Sequence, residues 1–221
     1  MRFLRYSRTN IFFNSMAKSK SSKGWLKEHF DDEYVRRSQQ DGFRSRAVYK
    51  LIEIDKKDRL IKPGMTIIDL GAAPGSWSEY CAGKLGEKGT IVALDILPME
   101  PIDGVNIILG DFREDDVLDT LMAVMDNQKT DLVISDMAPN ISGVGSVDMP
   151  RAYYLSELAL DLAQKTLKPG GALLVKLFQG EGFEVYNQAL KASFSKVLMR
   201  KPKASRSRSR EIYALATGFR K

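Results

Sequence analysis

The feature that most constrains this chain is a regular alternation of short apolar runs with amphipathic stretches between residues 66 and 178. Five apolar runs predict β-strands, at residues 66–70, 90–95, 105–110, 131–136 and 172–178. Three amphipathic stretches between them predict helices, at residues 77–84, 114–126 and 151–167. Strands that alternate with helices form a parallel sheet with helices on both faces.

The two ends of this region extend the predicted sheet and its helical layer. Residues 25–57 are helical in pattern, and Ser45 is placed to cap a helix whose apolar stripe is Ala47, Leu51 and Ile54. Residues 197–200 and 212–217 flank a basic loop with no helix between them, which favours an antiparallel pair at the end of the sheet. We therefore predict an α/β, Rossmann-like fold with seven mostly parallel strands and an antiparallel C-terminal strand.

The composition excludes several classes of protein. The chain has 221 residues, of which 43% are hydrophobic, enough for one large domain with a packed core. Its single cysteine, Cys81, rules out a disulfide framework, and with its single histidine, His29, it rules out a Cys/His zinc site. The lone histidine also argues against a Ser-His-Asp triad. No apolar run approaches the roughly 20 residues that a membrane-spanning helix needs.

The net charge of +6 is unevenly distributed along the chain. Residues 1–27 and residues 196–210 each carry seven basic side chains and no acidic one, whereas residues 28–195 carry a net −9. Solvated surface segments would explain both runs. Two separate and similar basic segments beside an acidic central region better fit a protein that binds the phosphates of a polyanion.

The first residues allow three interpretations. We predict that residues 1–24 form a basic, flexible extension and that residues 25–221 form one domain. An acid-free segment rich in Arg and Ser is also typical of a mitochondrial transit peptide, and translation from Met16 would make the first fifteen residues an artefact. A cytoplasmic location is expected, with the mitochondrial matrix as the alternative if residues 1–15 are a transit segment.

The predicted strands end in acidic residues, and ligands of open α/β sheets bind beyond these carboxyl ends. The four residues are Asp69, Asp95, Asp111 and Asp136. After the first of them comes a loop with Gly71, Pro74 and Gly75; small residues let a ligand approach the backbone, but the proline lacks an N–H donor. Phosphate would be repelled there, so the loop favours a cationic nucleoside, and S-adenosylmethionine fits. Asp95 would accept the ribose hydroxyls and Asp111 an adenine amino hydrogen.

Three further charged residues are candidates for catalysis. Lys176 interrupts the apolar run at 172–178, and a lysine in a central strand is costly unless it is paired or faces a site. Glu211 opens the last predicted strand, and alternation places it on one face with Tyr213 and Leu215. Lys50 lies beside the helical stripe and, taken alone, is typical of a solvated helix residue.

With these residues the chain resembles the FtsJ/RrmJ (RlmE) family of ribosomal RNA ribose 2′-O-methyltransferases, which have a class I methyltransferase fold. The resemblance runs from about residue 25 to the C-terminus. The matching segments are residues 42–47 with Lys50, 69–77, 95–99, 110–113, 135–143, 175–183 and 205–213. Ser76 stands where many members have glycine. The family's Lys-Asp-Lys-Glu tetrad falls on Lys50, Asp136, Lys176 and Glu211.

The resemblance implies the substrate, the cofactor and the residues that bind them. The substrate would be a uridine of large-subunit (23S) rRNA, in the assembled 50S subunit, and the methyl donor S-adenosylmethionine. The cofactor-binding residues would be Asp69, Gly71, Pro74, Gly75, Trp77, Asp95, Asp111, Phe112 and Asp136. No metal is expected.

The chemistry requires the 2′-hydroxyl to lose its proton as it attacks a methyl group in line. Lys176 is the candidate general base, and burial together with a neighbouring cation such as Lys50 favours the neutral form of an amine. Asp136 would orient Lys176, and Glu211 would bind the lysines or the ribose. A neighbouring carboxylate opposes this effect, because it favours the charged form of the amine. Lys176 can therefore act as a general base or as a group that mainly aligns the hydroxyl, and both roles stay open.

The RNA contacts are predicted from the basic segments. They are Arg36, Arg37, Arg44, Arg46, Lys201, Lys203, Arg206, Arg208, Arg210 and Tyr213. Such contacts position RNA without reading its sequence. The alternatives are the same reaction on tRNA or an mRNA cap, a non-catalytic ribosome-assembly protein that binds RNA, and a nicotinamide-dependent oxidoreductase, which the loop composition disfavours. We expect a monomer.

Overall fold

A computed structural model describes residues 32–126, 128–139, 142–206 and 208–220 of the chain. The predicted extension, residues 1–24, and the first part of the helical region, residues 25–31, lie outside the described residues. The strands are β1 (Thr66–Leu70), β2 (Thr90–Asp95), β3 (Asn106–Leu109), β4 (Thr130–Ser135), β5 (Leu167–Phe178), β6 (Phe194–Arg200) and β7 (Glu211–Phe219).

Six helices lie in the described ranges, and most of them connect successive strands. They are α1 (Glu33–Gln40), α2 (Val48–Asp58), α3 (Ser76–Leu85), α4 (Asp115–Val124), α5 (Gly145–Thr166) and α6 (Phe183–Ser193). In this same part of the chain, no helix is both long enough and apolar enough to cross a membrane.

The seven strands form one sheet in the order β3-β2-β1-β4-β5-β7-β6. Strands β1 to β5 pair in parallel, whereas β7 pairs antiparallel with both β5 and β6. The predicted fold class is therefore confirmed. The last strand, β7, lies between β5 and β6, and β6 forms the edge of the sheet. Because consecutive parallel strands all end at one edge, the acidic residues that follow them are brought together there.

Each face of the sheet packs on its own helical layer. Leu51 and Ile54 of α2 and Cys81 of α3 pack against Ile67 and Leu174 of the sheet. Residues of α4, α5 and α6 cover the other face in a separate core cluster. The site described below lies on the α2/α3 face, because Lys176 is two residues beyond Leu174 and shares its side of β5.

Several boundaries differ from the sequence-based prediction for local reasons. Ser45 does not occupy the N-cap of α2, which is Ala47; its hydroxyl instead accepts the Ala47 N–H at 3.3 Å. Helix α5 begins six residues before the predicted start, and contains Pro150. The Asp148 carboxylate accepts the backbone N–H groups of residues 142 and 143, which organises the turn where this helix starts. The prediction omitted α6.

Candidate active site

Four charged residues from distant parts of the chain meet at the carboxyl edge of the sheet. Lys50 is on the first turn of α2, Asp136 follows the last residue of β4, Lys176 is near the end of β5, and Glu211 opens β7. The β5–β7 register places Lys176 directly opposite Tyr213. Directly opposed residues share a face, so Glu211, two residues before Tyr213, also points toward Lys176.

The two ammonium groups and two carboxylates alternate in space. Lys176 Nζ lies 2.6 Å from Asp136 Oδ1 and 3.8 Å from Glu211 Oε2. Lys50 Nζ lies 2.9 Å from Glu211 Oε1 and 3.7 Å from Asp136 Oδ1. The tetrad is thus one connected cluster, and the charges of its four members balance. All four side chains are less than one-fifth exposed.

The lysines determine the ionisation of the acidic members of the tetrad. Burial disfavours the carboxylate of Asp136, but Lys176 and Lys50 outweigh burial and hold its pKa below the usual value. The pKa of Glu211 is likewise lowered, because Lys50 and Lys176 outweigh burial. Both acids are therefore anionic at neutral pH and can orient the lysines.

Two neighbouring hydroxyl groups hold the carboxylates in place. The Tyr213 hydroxyl donates to Asp136 Oδ1, and the Ser205 hydroxyl donates to Glu211 Oε1 at 2.8 Å. Tyr213 is fully buried, with its ring against Trp77, and burial raises the pKa of its phenol well above the ordinary value. The prediction that Tyr213 contacts RNA is corrected here, because a side chain with no exposed surface cannot reach RNA.

Beside the tetrad, a glycine loop connects β1 to α3. Gly71 and Gly75 both have positive φ, at 68° and 98°. A Cβ atom on Gly71 would lie 2.2 Å from Met137 Cγ, and one on Gly75 would lie 2.4 Å from Ile102 Cδ1. The positive φ favours glycine at both positions, and at Gly71 the Met137 side chain also leaves no room for a Cβ atom.

The glycine loop forms one wall of a cavity of about 1000 Å³, and the loop after β2 forms the other. Ala73 and Pro74 line one wall, and Leu97 and Met99 line the other. The Asp95 carboxylate links both walls, because its oxygens accept the N–H groups of Ala73 and Leu97, each at 2.8 Å. A carboxylate has about four lone-pair sites, so each oxygen of Asp95 can still accept a ligand hydroxyl.

The remaining predicted cofactor residues have different environments. Asp69 is 1% exposed and accepts the Ser78 hydroxyl at 2.6 Å. Trp77 is buried in the core, and its indole N–H donates to the Ala47 carbonyl. The Asp111 carboxylate is held by the Arg113 guanidinium, whose Nε lies 2.9 Å from both oxygens, and Phe112 packs against the core. Of the nine predicted cofactor residues, Pro74 alone is among the residues that line this cavity.

The predicted RNA-binding residues differ in their contacts with the rest of the protein. Arg44, Arg46 and Lys201 bind backbone carbonyls of the protein itself. Arg37 pairs with Asp41 at 3.3 Å and Arg206 lies 3.7 Å from Asp32. Arg36, Lys203, Arg208 and Arg210 are exposed, as are Arg37 and Lys201. A second cavity of about 560 Å³ opens directly beside the tetrad, and its lining includes Lys50, Glu211, Arg46, Arg206 and Arg208.

Comparison with known proteins identifies the family. A family model described as FtsJ-like methyltransferase matches residues 43–219, which include the whole tetrad and the glycine loop. The chain belongs to this family. It is therefore a methyltransferase, and the resemblance stated from its sequence motifs is confirmed.

Relatives of this methyltransferase match it over nearly the full length. The ribosomal RNA large subunit methyltransferase E of Chromohalobacter salexigens is 60% identical over 201 residues, covering 91% of this chain and 96% of that protein. The protein of the same name from Hydrogenovibrio crunogenus is 60% identical over 203 residues, covering 92% and 98%. A solved ribosomal RNA methyltransferase structure from Plasmodium falciparum aligns with a TM-score of 0.72 at 31% identity, covering 80% of this chain and 98% of that one.

Proposed function

We propose that this methyltransferase transfers a methyl group from S-adenosylmethionine to the ribose 2′-hydroxyl of a uridine in 23S rRNA, within the assembled 50S subunit. The observation that carries the proposal is the tetrad, in which two lysines and two carboxylates converge beside a glycine-lined cleft. Its relatives are named ribosomal RNA large subunit methyltransferases, which supports rRNA as the substrate class. We expect it to act as a monomer in the cytoplasm, where large subunits assemble.

The cleft fits a cationic nucleoside better than a phosphate-bearing one. Asp95 offers lone pairs for ribose hydroxyls at the end of β2, and Asp111 stands at the end of the neighbouring β3. Asp136 adds an anionic carboxylate at the end of β4, and Pro74 removes an N–H from the loop. When bound, S-adenosylmethionine supplies an electrophilic methyl group on a positively charged sulfur, and Asp95, Asp136 and the loop at 71–75 would hold it.

Lys176 is the residue that we assign to the acceptor hydroxyl. Its Nζ is fixed by the carboxylate and the backbone carbonyl of Asp136, each at 2.6 Å. A neutral amine held there would accept the hydroxyl proton as the new carbon–oxygen bond forms. Alignment of the hydroxyl with the methyl group also contributes, because in-line displacement depends on the approach direction.

The other tetrad members maintain the position of Lys176 and of the ribose. Asp136 fixes Lys176 and is itself fixed by Tyr213. Glu211 binds Lys50 at 2.9 Å and lies 3.8 Å from Lys176, so it couples the two lysines. Lys50 borders the basic cavity and would meet the ribose from the side on which RNA enters.

RNA would reach the tetrad along the surface of the loop 201–210. Arg206 and Arg208 line the cavity that contains Lys50 and Glu211. Phosphate contacts there would fix the acceptor strand, and a target that is a 2′-hydroxyl restricts the substrate to RNA. The predicted basic segment at residues 1–27 lies outside the described residues and would add to this affinity.

The test is transfer of radiolabelled methyl groups to ribosomal subunits from cells that lack this activity, followed by nucleoside analysis. We expect label in 50S subunits, as 2′-O-methyluridine, and none in tRNA. Methylation of a base would contradict the role of the tetrad. Preferential labelling of tRNA or a cap would contradict the assignment of substrate while leaving the chemistry intact.

A further inference from the structure

Arg44 uses its guanidinium to bind three backbone carbonyls from two different loops. Nη1 donates to the Glu100 carbonyl at 2.8 Å and to the Pro74 carbonyl at 3.3 Å, and Nη2 donates to the Pro101 carbonyl at 2.6 Å. Arg44 precedes α2 and is 30 residues from Pro74 and 56 from Glu100. The contacts are therefore tertiary and do not belong to a local turn.

The three carbonyls belong to the glycine loop and the loop after β2, the two loops that Asp95 also joins and that we expect to hold the cofactor. Pro74 is in the glycine loop, whereas Glu100 and Pro101 are in the loop after β2. Arg44 itself lines the cavity between these walls. The Asp95 carboxylate joins the same two loops through their N–H groups. The Asp95 carboxylate thus fixes the spacing of the walls through their backbone N–H groups, and the Arg44 guanidinium fixes it through their backbone carbonyls.

The residues after Arg44 continue this attachment toward the tetrad. The Ser45 hydroxyl is 2.7 Å from that of Ser76, at the start of α3. The Ala47 carbonyl accepts the indole N–H of Trp77 at 2.8 Å. Lys50 follows on the first turn of α2. The segment 44–50 therefore connects the walls of the cofactor cleft to a member of the tetrad.

We propose that Arg44 is a positioning residue for the methyl donor and not an RNA contact; this rests on the proposed function. An arginine fork is planar, permanently charged and rich in donors, which suits it to hold several carbonyls at once. A phosphate of RNA could engage the same N–H groups only by displacing the carbonyls. Loss of the fork would let the two walls separate and would weaken binding of S-adenosylmethionine.

The experiment compares Arg44→Gln, Arg44→Lys and the control Lys88→Gln, which removes an exposed basic side chain before β2. Calorimetry with S-adenosylmethionine, without RNA, measures donor binding. We expect the dissociation constant of Arg44→Gln to rise about tenfold, which is the loss expected for charge-assisted hydrogen bonds. Arg44→Lys keeps part of these hydrogen bonds, so its dissociation constant should fall between those of Arg44→Gln and the wild type, and Lys88→Gln should match the wild type.

Kinetics and RNA binding separate a positioning role from general damage. For Arg44→Gln, the KM for S-adenosylmethionine should rise while kcat at saturating donor stays within about twofold of wild type. Its affinity for 50S subunits and the salt dependence of that affinity should not change. Full donor affinity in both Arg44 variants, or a weaker and less salt-dependent RNA affinity in Arg44→Gln, would overturn the proposal. If the wild type binds the donor but methylates no rRNA, only the proposed function fails, and the calorimetry still decides the role of Arg44.

Discussion

At the scale of single residues, the buried carboxylates of this methyltransferase differ in what surrounds them. Asp136 and Glu211 face two lysines, which hold the pKa of each below its usual value despite burial. Asp69 has no basic partner among the described residues, and burial raises its pKa to about 7, with Asp136 and Asp95 adding to the effect and the Ser78 hydroxyl opposing it. Asp69 therefore titrates near neutrality, whereas the acidic tetrad members stay ionised.

The raised pKa of Asp69 predicts a specific pH dependence of stability. The unfolded chain releases this proton near 3.8 and the folded chain near 7, so the contribution of Asp69 to the free energy of unfolding falls as pH rises between these values. The full change in this contribution to the free energy of unfolding is about 4 kcal/mol. Asp69→Asn cannot ionise, so its stability relative to wild type should improve as pH rises from 4 to 7 and then level off. Denaturant unfolding measures this, and a difference that is independent of pH would contradict it.

Substitutions of Lys176 distinguish a proton acceptor from a group that only aligns the substrate. Lys176→Ala removes both roles and should lower kcat about 10²–10⁴-fold while leaving donor affinity intact. Lys176→Arg keeps a cation near Asp136 but cannot act as a base, because a guanidinium does not lose its proton. We expect Lys176→Arg to be as inactive as the alanine variant in single-turnover assays. Substantial activity in Lys176→Arg would remove the proton-accepting role.

At the scale of elements, the parts predicted correctly are those with a clear local signal. The bounds of β1 and β2 agree with the prediction because their apolar runs end sharply. Helix α6 was missed, although Phe183, Tyr186, Asn187 and Leu190 recur at helical spacing and three of them are buried. The predicted helix at 151–167 starts after Pro150, whereas α5 begins at Gly145 and contains this proline, a residue that usually ends or kinks a helix.

One ion pair between elements accounts for the placement of the loop that leads to Glu211. Arg200, the last residue of β6, donates Nε and Nη2 to the two oxygens of Asp58 at the end of α2, at 2.7 and 2.6 Å. Hydrogen bonding to Arg200 holds the pKa of Asp58 below its usual value despite burial. The pair thus fixes the start of the basic loop against the helix that carries Lys50.

A double-mutant cycle with Arg200→Gln and Asp58→Asn should give a coupling of about 1–3 kcal/mol, because the pair is bidentate and largely buried. The lowered pKa of Asp58 means that this coupling is present above pH 4 and is lost as the pH falls below it. Urea unfolding of the four proteins at pH 7 and pH 3.5 provides the measurement. A coupling near zero at pH 7 would show that other contacts hold the loop.

At the scale of the whole molecule, sequence motifs indicated the candidate active site but not the contacts that hold its residues in place. The Lys-Asp-Lys-Glu order came from resemblance to a family, since local pattern alone made Lys50 a solvated helix residue. The roles of Arg44 and Tyr213 depend on contacts with residues 30 to 77 positions away, and basic or aromatic residue type does not reveal such partners. Positive charge was likewise a misleading guide to RNA contacts, because several of the predicted contacts bind the protein's own backbone carbonyls.

The charge left on the surface predicts how RNA binding responds to salt. Lys203 and Arg210 have exposed side chains in the loop beside the site, whereas Lys88 lies before β2, at the opposite edge of the sheet. Each phosphate contact releases counterions and adds about 0.7–0.9 to the slope of log affinity against log salt concentration. Lys203→Gln and Arg210→Gln should each reduce this slope for 50S binding by about that amount, and Lys88→Gln should not. Equal slopes in all four proteins would place the RNA on another surface.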